Sequence, residues 1–295
     1  MEYLRTDGEF PCLSDSAVTL GKFDGLHRGH KKLVEQVIQK KDEGALAVLF
    51  AFDMQGSTLL SRNERIHLLE EMGIDYLLEC PLNEQIRRME AEVFVQDILL
   101  DRLHASTVVV GEDFRFGHQR KGNAELLLRL GEQLGFRVAV VPREMDGERK
   151  VSSTTVREEL EIGNMERVRE LLGTPFFVEG KVVHGAGIGH KLLLPTTNLV
   201  PPPEKRMPPS GVYVTRSRFG DRILGGVTNV GCKPTVDGSF LGVETYLYDC
   251  DEDLYEQDCR VEFLHYLRRE QRFASLADLK RQLLEDASQG RKYLR

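Results

Sequence analysis

The sequence predicts an α/β chain in two parts: a parallel, doubly wound sheet, then a small antiparallel β-barrel with a terminal helix. Three observations carry this reading. The first half alternates short β-type runs with amphipathic stretches of helical period. After Leu172 that period vanishes, and Gly, Pro and β-branched residues dominate. Near the C-terminus a helical pattern returns, with Leu276, Leu279, Leu283 and Leu284 on one face.

In chain order, the first half offers strands at 17–20, 46–52, 74–79, 107–110 and 138–141. Helices are expected at 31–41, 62–72, 91–103 and 124–134, and a further one at 155–172. In the first of these, Leu33, Val34, Val37 and Ile38 share a face. In the last, the spacing of Thr155 and Glu158 suits a capping box. The second half offers strands at 176–183, 212–218, 224–230, 243–248 and 259–267, then a helix at 276–287. Gly220-Asp221 marks a turn, and the proline-rich 201–211 cannot supply ladder donors and forms a loop. Gly173-Thr174-Pro175 places the boundary, giving domains 1–172 and 173–295.

Composition narrows the functional classes. The 295 residues suit two domains, and 41% hydrophobic with 29% charged is ordinary for a globular chain. A net charge of −7 argues against a nucleic-acid partner. No apolar run approaches the ~18 residues of a membrane span, and Glu2, Arg5, Asp7, Glu9 and Asp15 interrupt any signal-peptide core. Cys12, Cys80, Cys232, Cys250 and Cys259 form no C-x-x-C pair. They read as reduced thiols in a cytoplasmic protein. The sequence leaves the oligomeric state open.

The chemistry concentrates at Gly21-Lys22-Phe23-Asp24-Gly25-Leu26-His27-Arg28-Gly29-His30. This stretch joins a strand to a helix at the sheet's carboxyl edge, where such sheets bind ligands. His27 and His30, three apart at a helix start, project to the same side. The helix N-terminus supplies N–H groups and partial positive charge for a phosphate, and Gly29 leaves its approach open. Attack on an α-phosphate builds negative charge on equatorial oxygens, which imidazole donors can stabilise. Two more segments belong to the same edge. Gly111-Glu112-Asp113-Phe114-Arg115-Phe116-Gly117 follows a strand and can grip a flat heterocycle. Lys150-Val151-Ser152-Ser153-Thr154-Thr155-Val156-Arg157 opens a helix with hydroxyls and cations suited to outer phosphates.

In the second half, the glycine-rich run 185–191 leads to Leu194-Pro195-Thr196-Thr197-Asn198-Leu199, and Glu244 lies on an expected strand. No GxxxxGK[ST] occurs, so this half is not of the P-loop type. His67, His104, His118, His184 and His265 lie at no metal-ligand spacing. The acidic cluster at 249–258 lacks the glycine and terminal glutamate of a calcium loop and reads as a solvated hairpin.

Together GxFDGxHxGH, GEDFRFG and SSTTVR, in this order, resemble the prokaryotic bifunctional riboflavin kinase/FAD synthetase family. The resemblance implies a Rossmann-like nucleotidyltransferase domain that adenylylates FMN to FAD, followed by a riboflavin kinase barrel that phosphorylates riboflavin to FMN. Both reactions use ATP with Mg²⁺. It gives His27 and His30 catalytic roles, and assigns Gly21, Phe23, Asp24, Gly29, Ser153, Thr154 and Arg157 to ATP. Asp113 and Phe114 fall to the flavin. In the barrel it assigns Gly185 and Gly187 to ATP, Thr196 and Asn198 to the metal, and Glu244 to the base that deprotonates the ribityl hydroxyl. The chain departs from the family pattern at four places. Phe52-Asp53-Met54-Gln55-Gly56 stands where F-x-P-H-P is usual, and Leu193-Leu194 replaces glycine and an aromatic. Thr197 replaces alanine, and Glu256 replaces glycine. Two alternatives accompany this reading: a family member with one activity, and a non-catalytic flavin-binding or sensor protein.

Overall fold

The computed structural model describes residues 1–6, 8–53, 56–184, 196–235 and 238–294. Its contacts divide the chain into two compact units, Met1–Ser153 and Thr154–Arg295.

The first unit is built on six parallel strands: β1 (Glu2–Arg5), β2 (Ser16–Gly21), β3 (Leu46–Phe52), β4 (Tyr76–Cys80), β5 (Ala105–Gly111) and, numbered in chain order, β8 (Arg137–Val141). Their order is β1-β4-β3-β2-β5-β8, every pairing parallel. The apolar runs of β2, β3 and β4 are almost entirely buried, as expected of strands covered on both faces. Helices α1 (Arg28–Gln39), α2 (Arg62–Met72) and α5 (Ala124–Leu134) connect them, with a short α3 (Glu84–Arg88) and α4 (Ala91–Val93) between. Two small ribbons complete the unit: β6 (Arg115–Phe116) with β7 (Gly122–Asn123), and β9 (Met145–Asp146) with β10 (Arg149–Lys150).

Three expectations need correction here. The helix expected at 91–103 begins as α4 but continues as a π-helix, Phe94–Leu100, whose exit is marked by five-residue bonds from Asp101 N–H to Gln96 O and Leu103 N–H to Ile98 O. The helix expected at 155–172 is two helices, α6 (Ser153–Glu161) and α7 (Met165–Leu172). Gly163 turns left-handed at φ 76°, and Asn164 caps α7 by accepting from the Arg167 N–H at 3.3 Å. Thr155 lies inside α6 and is buried, so it is not the cap of a capping box.

The second unit curls six antiparallel strands into a barrel: β11 (Phe176–Lys181), β12 (Thr196–Leu199), β13 (Gly211–Phe219), β14 (Arg222–Thr235), β15 (Gly238–Leu247) and β16 (Asp258–Arg268). Their order is β11-β16-β13-β14-β15-β12, and the edges meet where the Val183 N–H donates to Asn198 O at 2.9 Å. Gly220-Asp221 forms the expected two-residue hairpin, with Gly220 at φ 56°. Thr215, Thr228 and Thr245 are fully buried and share hydroxyl bonds of 2.7 and 2.8 Å across β13, β14 and β15. Thr197, beside Thr245 in register, places a further hydroxyl in this interior, and its Oγ1 finds no partner among the described residues. The opposite face, at Val212, Val227 and Tyr248, packs on Ala287 of α8 (Leu276–Gly290). Arg268 locks that helix to β16 through both oxygens of the buried Asp286, at 2.9 and 2.6 Å.

Candidate active sites

The turn from β2 to α1 is held in an unusual backbone. Phe23 and Leu26 adopt φ of 51° and 44°, and both side chains are fully buried, so packing holds them there. The Phe23 ring folds back over Gly21, where an added Cβ would come within 3.0 Å of it. Asp24 anchors the same turn. Its Oδ1 accepts from the Leu59 N–H at 2.8 Å, and its carbonyl accepts from the Ser153 hydroxyl at 2.8 Å.

His27 is the N-cap of α1, and its Nδ1 accepts from the His30 N–H at 3.3 Å. A backbone N–H can only donate, so the neutral ring carries its proton on Nε2, which remains a donor. The His27 and His30 rings stack at 3.7 Å, and Phe23 closes the far side of His30 at 5.1 Å. Burial, with the nearby Lys150 charge adding to it, pulls His27 down to about 4. Burial, then His27 and Lys150, drives His30 well below its ordinary value. Both rings are therefore neutral at pH 7; the His27 ring accepts a hydrogen bond, and the buried His30 Nδ1 has no partner among the described residues.

This has a consequence for acid stability. Because the folded value of His27 is depressed, its contribution is complete above about 6.5 and is lost as pH falls toward about 4. Thermal unfolding followed from pH 7 to 4 is expected to lose less stability in His27→Gln than in the parent. Equal losses would contradict the buried, neutral ring.

The β9–β10 ribbon lies over the helix start. Glu144 pairs with Lys32 and with Arg28 at 3.7 Å, and Asp146 lies 3.8 Å from Arg28. A Cβ at Gly29 would come within 3.3 Å of both Glu144 and the His27 ring, so glycine is also what lets the ribbon close down. Lys150 leaves this ribbon to bond Asp113, which Arg143 also approaches at 3.8 Å. Burial opposes ionisation of Asp113, but Lys150 and then Arg143 outweigh it and hold the carboxyl below its usual range. Phe114 stacks on Phe116 at 5.5 Å, and Phe116, Phe94 and Phe52 continue an aromatic array. At the altered loop, Asp53 pairs with Arg5 at 3.2 Å, while Met54 and Gln55 lie outside the described residues.

Ser153 opens α6, Thr154 follows it exposed, and Arg157 sits one turn on. The sequence reading missed the Glu144 and Lys150 contacts with α1 and Asp113. Their partners are far apart in the chain, so no local pattern announces them.

In the barrel, register places Glu244 of β15 between Asn198 of β12 and Asn229 of β14. Directly opposed residues of an antiparallel pair point to the same face, so the three side chains form a row. The Thr196 hydroxyl, on the same face of β12, donates to Glu244 Oε1 at 3.3 Å. Gly185, Gly187, Leu193 and Leu194 lie outside the described residues. Among the described residues, no group of three or more His, Cys, Asp or Glu side chains is arranged to hold a metal ion.

Comparison with known proteins fits this two-centre arrangement. A model of the FAD synthetase family matches residues 10–155, and one of the riboflavin kinase family matches residues 172–294. A bifunctional riboflavin kinase/FMN adenylyltransferase from Escherichia coli K12 is 35% identical, over 94% of this chain and 92% of its own. The chain belongs to the bifunctional riboflavin kinase/FMN adenylyltransferase family. Relatives of the same description occur in Haemophilus influenzae, at 31% identity over 93% of this chain and 92% of theirs, and in Buchnera aphidicola of Schizaphis graminum, at 34% over 95% and 94%. A solved structure described as a macrolide-efflux protein from Streptococcus pneumoniae shares the fold. Its TM-score is 0.83 at 28% identity, over 96% of this chain and 97% of that one. Among the described residues of this family member, no helix is long and apolar enough to cross a membrane. The family and the architecture expected from the motifs are borne out.

Proposed function

We propose that the chain makes FAD from riboflavin in two ATP-dependent steps at two chemical centres. In the barrel, Glu244 takes the proton from the terminal ribityl hydroxyl as that oxygen attacks the γ-phosphorus of ATP, and ADP leaves. Thr196 and Asn198 would hold the Mg²⁺ carried with the nucleotide. Their fit rests on donor chemistry: the Thr196 hydroxyl spends its hydrogen on Glu244, leaving lone pairs for a hard cation, and both residues offer neutral oxygens. When bound, the ion neutralises charge on the transferring phosphate. Gly185 and Gly187 belong to the ATP side of this centre.

In the first unit, a phosphate oxygen of FMN attacks the α-phosphorus of ATP and pyrophosphate leaves. The His27 Nε2–H, His30 and the N-terminus of α1 stabilise the charge that develops. Gly21, Phe23, Asp24 and Gly29 shape the nucleotide loop, while Ser153, Thr154 and Arg157 meet the outer phosphates. Asp113 and Phe114 face the flavin. The functional boundary is placed between Leu172 and Gly173, where the composition of the sequence changes. Reduced thiols and the small-molecule substrates suit the cytoplasm.

The observation that carries this reading is the His27–His30 stack at the helix start, because mere flavin binding requires no such pair. Riboflavin or FMN supplied separately with ATP and Mg²⁺ tests it. The expected products are FMN and FAD from riboflavin, and FAD with pyrophosphate from FMN. FMN from riboflavin with no FAD from FMN would overturn the two-activity reading.

A further inference from the structure

The row around Glu244 does not end at Asn229. Glu270, in the segment between β16 and α8, reaches β14 and accepts from Asn229 Nδ2 at 3.1 Å. Its carboxylate also lies directly on Gly231, in the space that a Cβ there would take. A carboxylate only accepts, which fixes the Asn229 amide with its nitrogen toward Glu270 and its oxygen turned away. That Oδ1 has no hydrogen-bond partner among the described residues. It therefore stands as an oriented acceptor directly opposite Glu244 in the β14–β15 register.

Riboflavin presents three secondary hydroxyls beside the terminal primary one, and only the terminal one is phosphorylated. A second acceptor at a fixed offset from the base sorts them by position. We propose that Glu270 is a positioning residue of the kinase centre. It orients Asn229 so that an inner ribityl hydroxyl donates to Asn229 Oδ1 and the terminal hydroxyl meets Glu244. This rests on the kinase reading above. With glutamine at 270 the partner can donate or accept, and the Asn229 amide loses its fixed sense.

The test compares two flavins: riboflavin, and a flavin whose side chain is a plain hydroxypentyl group with the terminal hydroxyl alone. Glu270→Gln is expected to raise the KM for riboflavin about tenfold while leaving the KM for ATP unchanged. Phosphorylation of the hydroxypentyl flavin should not change, because it has no inner hydroxyl to place. Asn229→Ala should behave like Glu270→Gln, and the double variant should add nothing to either. FMN adenylylation and the melting temperature of each preparation report on folding. Equal losses on both flavins, or unchanged riboflavin kinetics in Glu270→Gln, would overturn the positioning role while the kinase reading stands. Absence of FMN formation by the parent chain would overturn both.

Discussion

Replacing His27 by alanine should lower FAD formation from FMN by about 10²–10³-fold, the range expected for a lost charge-stabilising donor. Riboflavin phosphorylation should continue. The side chain does three things at once: its Nδ1 caps α1, its ring stacks on His30, and its Nε2 carries the remaining ring proton. Alanine removes all three, and the lost cap alone is worth about 1 kcal/mol of stability. His27→Asn separates the roles, because asparagine caps a helix well but offers no Nε2 donor. The expected result is a melting temperature close to that of the parent with adenylylation still lost, measured as FAD and pyrophosphate from FMN and ATP. Recovery of FAD synthesis in His27→Asn would reduce His27 to a structural cap.

Replacing Glu244 by glutamine should produce the mirror image. The amide keeps the volume and an Oε1 that still accepts from Thr196, so the Thr196–Glu244 contact at 3.3 Å has a counterpart in the variant. What disappears is the base, and the kinase kcat should fall by about 10²–10⁴-fold. The KM for ATP should change little, and FAD formation from supplied FMN should persist. A large rise in the KM for ATP with kcat retained would mean that Glu244 organises the nucleotide instead of accepting the proton.

Much of the fold was legible because its signals are local. The helices Arg62–Met72 and Ala124–Leu134 match their expected limits to the residue. Ser61 with Glu64 forms a full capping box at one, Asn123 caps the other, and Gly73 and Gly135 end both in the left-handed conformation. The break at Gly163-Asn164 carried the same kind of signal, but the apolar period running across it masked the stop. β1 was missed because four residues at a sheet edge, exposed at both ends and half-buried between, carry no alternating period. The helix-start position of His27 and His30 was readable from the strand-to-helix turn. The hold of Glu144 on α1, the Lys150–Asp113 pair and the reach of Glu270 to Asn229 were not. Each joins residues distant in sequence, and the last depends on the barrel's register. Thr197 was visible as a departure from the family, but only the structure shows that its hydroxyl enters the buried threonine row.

The most direct test of two centres on one chain is complementation between the single variants. Given riboflavin, ATP and Mg²⁺, the His27→Ala protein should stop at FMN and the Glu244→Gln protein should leave riboflavin almost untouched. Mixed together, they should restore FAD, because FMN released by the first is substrate for the second. Substantial FAD from either variant alone, or loss of both half-reactions in one folded variant, would contradict the account.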